Sequence, residues 1–244
     1  MIVLFTDFGL TGPYVGQMEA VLLQAAPDEP VVNLFADVPR CNPKAGAYLL
    51  AAYATEFPLD TVFLAVVDPG VGDERRQPCI VRADGRWYVG PDNGLFELVA
   101  RRARSVCWWN ITWRPQRLSS SFHGRDLFAP VAARIARGDE PPGQPVPVAE
   151  RVKCDWPDDL QEVIYVDHFG NAMTGMRSST VPSSARLRVA GREIDHARTF
   201  SAVPKGEAFW YENANGLVEI AVNQGEAGKI LGLTIGTPVE VVIR

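Results

Sequence analysis

The chain has 244 residues, of which 47% are hydrophobic and 22% charged, enough apolar material for one large domain or two smaller ones and too much for disorder in the bulk of it. With 24 Lys and Arg against 29 Asp and Glu the net charge is -5, and no long basic block offsets it. Such a field disfavours nucleic acid and anionic membrane surfaces, and does not repel a cationic small molecule.

Met1 to Thr6 reads as a short apolar strand that turns polar before a basic leader or a membrane span could be built, so a cytoplasmic protein is expected. Pro13 to Ala26 reads as a helix opened by proline, whose fixed φ suits the first turn. Val31 to Val38 is a second strand, and Pro43 to Phe57 carries alanine, leucine and tyrosine at helical spacing. Thr61 to Val67 is a β-branched, apolar run of the kind buried on both faces of a sheet. Cys79 to Ala83 and Arg86 to Val89 flank Asp84-Gly85, a hairpin signal, and Leu95 to Ala103 and Leu127 to Arg137 are further helices. This alternation over residues 1–137 predicts an α/β domain: a mainly parallel sheet with helices on both faces.

Pro141, Pro142, Pro145, Pro147 and Pro157 then crowd a charged stretch that resists both helix and central strand. A linker is expected over 141–159, between a catalytic domain at 1–140 and a second domain at 160–244. From Val163 onward VIYVD, ARLRV, AFWY, LVEIAV and VEVVIR alternate with turn signals such as Gly191-Arg192 and Asn215-Gly216, the pattern of a small antiparallel β-barrel or sandwich. The four cysteines, Cys41, Cys79, Cys107 and Cys154, form no CxxC pair and are expected as free thiols in or near a core.

In an open parallel sheet, ligands bind beyond the carboxyl ends of the strands. TDFG at Thr6, DPGVG at Asp68 and GPDNG at Gly90 all follow apolar strands and would line one rim. No GxGxxG or Walker lysine accompanies Asp7, which is placed either to take a ribose diol or to cap the helix after it. Asp68 has Arg75 and Arg76 within eight residues, so a structural Asp-Arg loop staple is the alternative to chemistry there. His123, in SSSFHGRDLF, stands at a helix entry in a polar turn, a good place for proton transfer, while Asp126 suits the first-turn dipole. His168, in VDHFGNA, is equally well read as part of a β-turn or as a binding residue, and His196 as an exposed residue. The three histidines form no HxH, HxxxH or HExxH, so no metal site is expected, and GxSxG is absent.

Taken together and in order, TDFGLTGPYVG, DPGVGDERR, GPDNGLF, SSFHGRDLFAPVAA, DHFGNAMT and NGLVEIAVN resemble the S-adenosyl-L-methionine (SAM) hydroxide adenosyltransferases, the adenosine-forming SAM hydrolases related to the fluorinases and chlorinases. The resemblance implies a homotrimer with active sites between subunits, SAM as substrate, adenosine as product, and no cofactor. It implies a catalytic trio of Asp68, Arg75 and His123. For binding it implies Asp7 at the ribose hydroxyls, Phe122 near the purine, Asp167, Phe169 and Asn171 on the methionine or ribose side, and Asn215, Val222 and Gln224 near the purine.

The halogenases carry tyrosine where Asp68 stands, and a carboxylate would repel a halide there, so the residue favours the hydroxide branch. They also differ by an acidic residue at Gly12, an aromatic at Cys41 and an arginine at Val222, so contacts at the methionine end and the purine edge are expected to differ from theirs. The expected reaction is in-line attack of water or hydroxide on ribose C5′. The alternatives are a non-catalytic adenosine- or SAM-binding protein and a SAM-dependent halogenase.

Overall fold

The structure, a computed structural model, describes residues 1–73, 76–149 and 154–243. It divides into two compact units, Met1–Cys154 and Asp155–Arg244.

The first unit runs β1 (Ile2–Thr6), α1 (Tyr14–Ala25), β2 (Val31–Phe35), α2 (Pro43–Tyr53), β3 (Val62–Val66), β4 (Pro78–Ala83), β5 (Arg86–Pro91), α3 (Glu97–Arg102), β6 (Val106–Ile111), α4 (Ala129–Ala136) and β7 (Gly143–Val146). The seven strands form one sheet in the order β2-β1-β3-β5-β4-β6-β7. β1 lies parallel to β2 and β3, and β3 to β5. β4 is antiparallel to both β5 and β6, and β6 to β7. The sheet is therefore mixed, where the alternation of elements leads one to expect it mainly parallel. The Asp84-Gly85 turn, with φ of 45° and 80°, reverses the chain between β4 and β5, and the strands added beyond β5 are antiparallel.

Helices cover both faces of this sheet, as the pattern predicts. Ile2, Leu4, Val62, Leu64 and Val66 share a core with Met18 and Leu22 of α1 and Ala129, Val131 and Ala132 of α4. On the opposite face Phe5 meets Phe35 edge-on at 5.3 Å. There Gly46 of α2 packs so closely that a Cβ would lie 2.9 Å from Leu95. α2 starts where Asn42 Oδ1 accepts the Ala45 N–H at 3.0 Å, with Pro43 at the first helical position. All five residues of β3 are buried, so its run of apolar side chains is shared between two cores.

Part of the stretch expected to be linker is structured: Gly143–Val146 is the edge strand β7, with Pro145 opposite Trp109. An edge position tolerates proline because its outward side needs no N–H.

The second unit contains β8 (Leu160–Val166), β9 (Ala172–Arg177), β10 (Arg186–Val189), β11 (Arg192–Ile194), β12 (Ala208–Glu212), β13 (Leu217–Val222), α5 (Ala227–Ile230) and β14 (Glu240–Val242). Among the described residues these strands do not close into the expected barrel. They make two antiparallel sheets, β12-β13-β9-β8 and β11-β10-β14, around a core that includes Val163, Met176, Leu187, Trp210 and Ile220. Isolated bridges, Glu162 with Pro238 and His196 with Trp210, link the edges of the two sheets. Strands of three and four residues, as in β10, β11 and β14, are too short to carry a continuous ladder round the ring.

Among the described residues no helix is long and apolar enough to cross a membrane. Among the described residues no disulfide joins the cysteines; Cys79 is buried as expected, whereas Cys41 and Cys107 are exposed.

Candidate active site

Because β1, β3 and β5 are parallel neighbours, the loops that follow them leave the same edge of the sheet. Asn93, in the loop after β5, donates from Nδ2 to the carbonyl of Val67 at 2.8 Å and so ties its loop to the end of β3. The three polar loops expected on one rim are therefore neighbours, and Asp7 and Asp68 line one cavity.

Asp68 has a side chain only 8% exposed. Its Oδ1 accepts from Arg76 Nη1 at 2.6 Å and from the Gly70 N–H at 3.1 Å. The Asp-Arg staple weighed as an alternative is thus present, made by Arg76. Arg75 lies outside the described residues. A carboxylate held on one oxygen by a guanidinium and a backbone amide keeps a fixed orientation, and among the described residues no hydrogen bond engages its Oδ2.

His123 stands just before one turn of π-helix, Gly124–Phe128, that runs directly into α4. Gly124 allows this entry to sit against α1, since a Cβ would come within 3.2 Å of Met18 Sδ and Phe122. Asp126 braces the preceding loop: it pairs with Arg125 at 2.6 Å, and its Oδ2 accepts the Ser119 N–H at 2.8 Å. Arg125 holds the Asp126 carboxyl below the ordinary carboxylate range, and reaches Gln17 of α1 through Nη1 at 2.8 Å. Asp126 is therefore an anchor beside His123.

Two cavities meet at these residues. One, of about 270 Å³, is walled by Phe8, Tyr14 and Phe122, whose rings pack pairwise at 5.2 to 5.8 Å, together with Asp7, Asp68 and His123. The other, of about 450 Å³, is a polar cleft lined by Asp68, His123, Arg76, Gln77, Arg114 and Ser120 among others. Asp7 does not cap α1; its Oδ2 accepts the Cys41 N–H at 2.8 Å, and burial pushes its pKa up from 3.8 against that hydrogen bond. Four of the residues singled out by sequence, Asp7, Asp68, Phe122 and His123, thus converge on one cavity.

The second unit has its own cavity, of about 720 Å³, lined by Asp167, Phe169, Asn171, Val222 and Gln224. Asp167 Oδ1 accepts the Asn171 N–H at 2.8 Å, closing the turn that places both side chains, and Phe169 is 73% exposed at its edge. His168 is exposed with its ring against Phe169, and His196 packs on Trp210 instead of standing free. Asn215 sits in the β12–β13 turn, its N–H donating to Asn213 Oδ1 at 3.0 Å, and is not among the residues lining the cavity.

Sequence reasoning passes over Glu219, a buried acid in this cavity wall. Its oxygens accept from Tyr211 Oη at 2.5 Å and Asn213 Nδ2 at 2.9 Å, and burial raises its pKa above 4.5. The signal available was a single acid inside the apolar run LVEIAV. Phe8 and Tyr14 likewise flank Asp7 in sequence without having been singled out. Among the described residues no group of three or more His, Cys, Asp or Glu side chains is arranged to hold a metal ion.

Residues 2–144 match the SAM hydroxide adenosyltransferase N-terminal domain and residues 161–240 the C-terminal domain. A protein of Thermus thermophilus named (R)-S-adenosyl-L-methionine hydrolase is 41% identical over 96% of both chains, and one of Salinispora arenicola with the same name is 38% identical over 97% of this chain and 95% of its own. The crystal structure of a conserved protein from Thermotoga maritima covers 100% of both chains with a TM-score of 0.90 at 30% identity. That of a conserved hypothetical protein from Thermus thermophilus covers 99% of both with a TM-score of 0.78 at 36% identity. The chain belongs to the SAM hydroxide adenosyltransferase family.

Proposed function

We propose that this chain hydrolyses SAM to adenosine and L-methionine, with the (R)-sulfonium epimer in its relatives' names as the form consumed. The observation that carries the reading is the convergence of Asp68 and His123 on one cavity wall with Asp7 and Phe122, in a chain of this family. The sulfonium sulfur is a good leaving group, departing as the neutral thioether of methionine, so the reaction needs an oriented nucleophile more than an activated leaving group. Holding water in line with C5′ can account for several kcal/mol of barrier lowering.

Water must also lose a proton as the new C–O bond forms. In this reading Asp68 and His123 hydrogen-bond the water and one of them accepts its proton, while a neighbouring guanidinium orients the carboxylate and stabilises the anionic species. Arg76 occupies that position on Asp68 Oδ1, and Arg75 remains the family's candidate. Asp7 would take the ribose hydroxyls, Phe122 would pack near the purine, and the second-unit residues Asp167, Phe169, Asn171, Val222 and Gln224, with Asn215, would complete the nucleoside and methionine contacts. An anionic Asp68 repels halide by like charge, which supports hydroxide as the nucleophile.

Neither cofactor nor added metal has a step in this scheme. The chain works as a homotrimer with active sites between subunits, and four cysteines that no disulfide joins among the described residues suit a reducing compartment such as the cytoplasm. Chromatography of SAM incubated with purified protein tests the proposal: adenosine and methionine appear in equal amounts, chelator leaves the rate unchanged, and ¹⁸O-labelled water places its label in adenosine. Asp68→Ala and His123→Ala each lose on the order of 100-fold or more in kcat. SAM binding without adenosine above the blank would overturn the reading.

A further inference from the structure

Among the described residues the aromatic cavity and the polar cleft share three lining residues, Asp68, His123 and Phe128. Two loops form the wall between them. In one, Val71 lines the aromatic cavity while Gly70 and Gly72 line the cleft; in the other, Ser120 lines the cleft while Ser121 lines the aromatic cavity. The loops touch at Gly72, where φ is +87° and a Cβ would lie 2.8 Å from the Ser120 carbonyl oxygen. Among the described residues, Asp68 and His123 are therefore the titratable groups that both spaces reach.

The two spaces suit different occupants. At about 270 Å³ the aromatic cavity is small for a ligand pocket, so a bound substrate leaves no reserve of water within it. Displacement at C5′ also needs the nucleophile on the side away from the sulfonium. The cleft, at about 450 Å³, has room for on the order of ten waters and polar groups to hold them. Arg114 in its wall is fixed by donating from Nη1 to the carbonyls of Ile111 and Trp113 at 2.8 and 2.9 Å. The cleft opens to solvent among Gly72, Gln77, Arg114, Leu118 and Ser120, all exposed, and Leu118, 38% exposed, is the large apolar side chain of that group.

Resting on the hydrolase reading, we propose that the polar cleft is the supply route for the nucleophile and that Leu118 is a specificity-determining residue that limits the size of nucleophile admitted. Water enters past Leu118 and is taken up between Asp68 and His123 while SAM fills the aromatic side. A slightly larger nucleophile such as methanol would follow the same path. Its oxygen forms the bond to C5′ as the C5′–S bond breaks, the electron pair leaves with methionine, and the hydroxyl proton passes to the Asp68–His123 pair, giving 5′-O-methyladenosine.

The experiment measures adenosine and 5′-O-methyladenosine made from SAM at a fixed methanol concentration by wild type, Leu118→Ala and Leu118→Trp, together with kcat and KM in water alone. One methylene in a closed site commonly counts for about tenfold in selectivity. Leu118→Ala is therefore expected to raise the ether-to-adenosine ratio about tenfold, and Leu118→Trp to lower kcat about tenfold, with KM for SAM held within about twofold in both. Either shift supports the assignment. If the ratio in Leu118→Ala equals the wild-type ratio, zero included, and kcat in Leu118→Trp is unchanged, the cleft is not the route. Absence of adenosine from the wild type would instead sink the hydrolase reading itself.

Discussion

At the scale of single residues, Asp7 shows how one carboxylate serves fold and site together. Its Oδ2 holds the Cys41 N–H at 2.8 Å, and Cys41 itself sits at φ 57°, so the acid fixes a left-handed turn beside the aromatic cavity. Burial raises its pKa above 3.8, so it gains a proton at a pH where an exposed aspartate is still charged. A protonated Asp7 accepts more weakly from a ribose diol. KM for SAM is therefore expected to rise as pH falls toward the acid range, and Asp7→Asn is expected to have a raised KM, on the order of tenfold, that no longer changes over that range. Initial-rate measurements between pH 4 and 8 check this; an identical acid limb in the variant would assign the titration elsewhere. Asp7 and Asp68 were legible in the sequence because each directly follows an apolar strand. That Arg76 reaches Asp68 was not, because the contact depends on how the loop between them turns.

At the scale of elements, the β12–β13 hairpin depends on a buried acid. Asn213 Oδ1 accepts the N–H groups of Asn215 and Leu217, which leaves its Nδ2 pointing at Glu219, and Tyr211 Oη bonds the other carboxylate oxygen. Burial raises the Glu219 pKa in the folded chain above 4.5. A raised folded pKa means that the stability due to this group is fully present below its unfolded value and is lost as pH rises through the folded one. Glu219→Gln keeps an acceptor for Asn213 and can donate to Tyr211 without carrying charge. The variant should therefore melt above wild type at pH 7, by about 2–4 °C for each kcal/mol recovered, and the gap should close below the unfolded Glu range. Calorimetry at pH 4 and 7 decides it; a variant less stable at both would show that the charged acceptor outweighs its burial.

The hairpins themselves were readable, since Asp84-Gly85 and Asn215-Gly216 carry the residues that tight reversals require. Strand order was not. Nothing local in Cys79 to Ala83 says that β4 lies outside β5, and the apolar run Val106–Ile111 can be placed only through its pairing with β4.

At the scale of the whole molecule, the proposed catalytic residues lie in one compact unit and most of the proposed purine and methionine contacts in the other. A trimer with active sites between subunits makes a prediction that a chain acting alone does not. Sedimentation should give three times the 26.8 kDa of one chain. Take Asp68→Ala, lesioned in the first unit, and a second inactive variant lesioned at Asn171 in the other, each purified as its own trimer. Mixed in equal amounts and allowed to exchange subunits, they form sites at random. If each site draws its first-unit residues from one chain and its second-unit residues from the next, both halves are intact in roughly a quarter of sites, and about that fraction of wild-type activity returns. If every site is built within one chain, each chain brings its own lesion to its own site and nothing returns. Recovery therefore reports where the site is assembled, independently of any contact list, and its absence after demonstrated exchange would refute the shared-site arrangement while leaving the chemistry at Asp68 untouched.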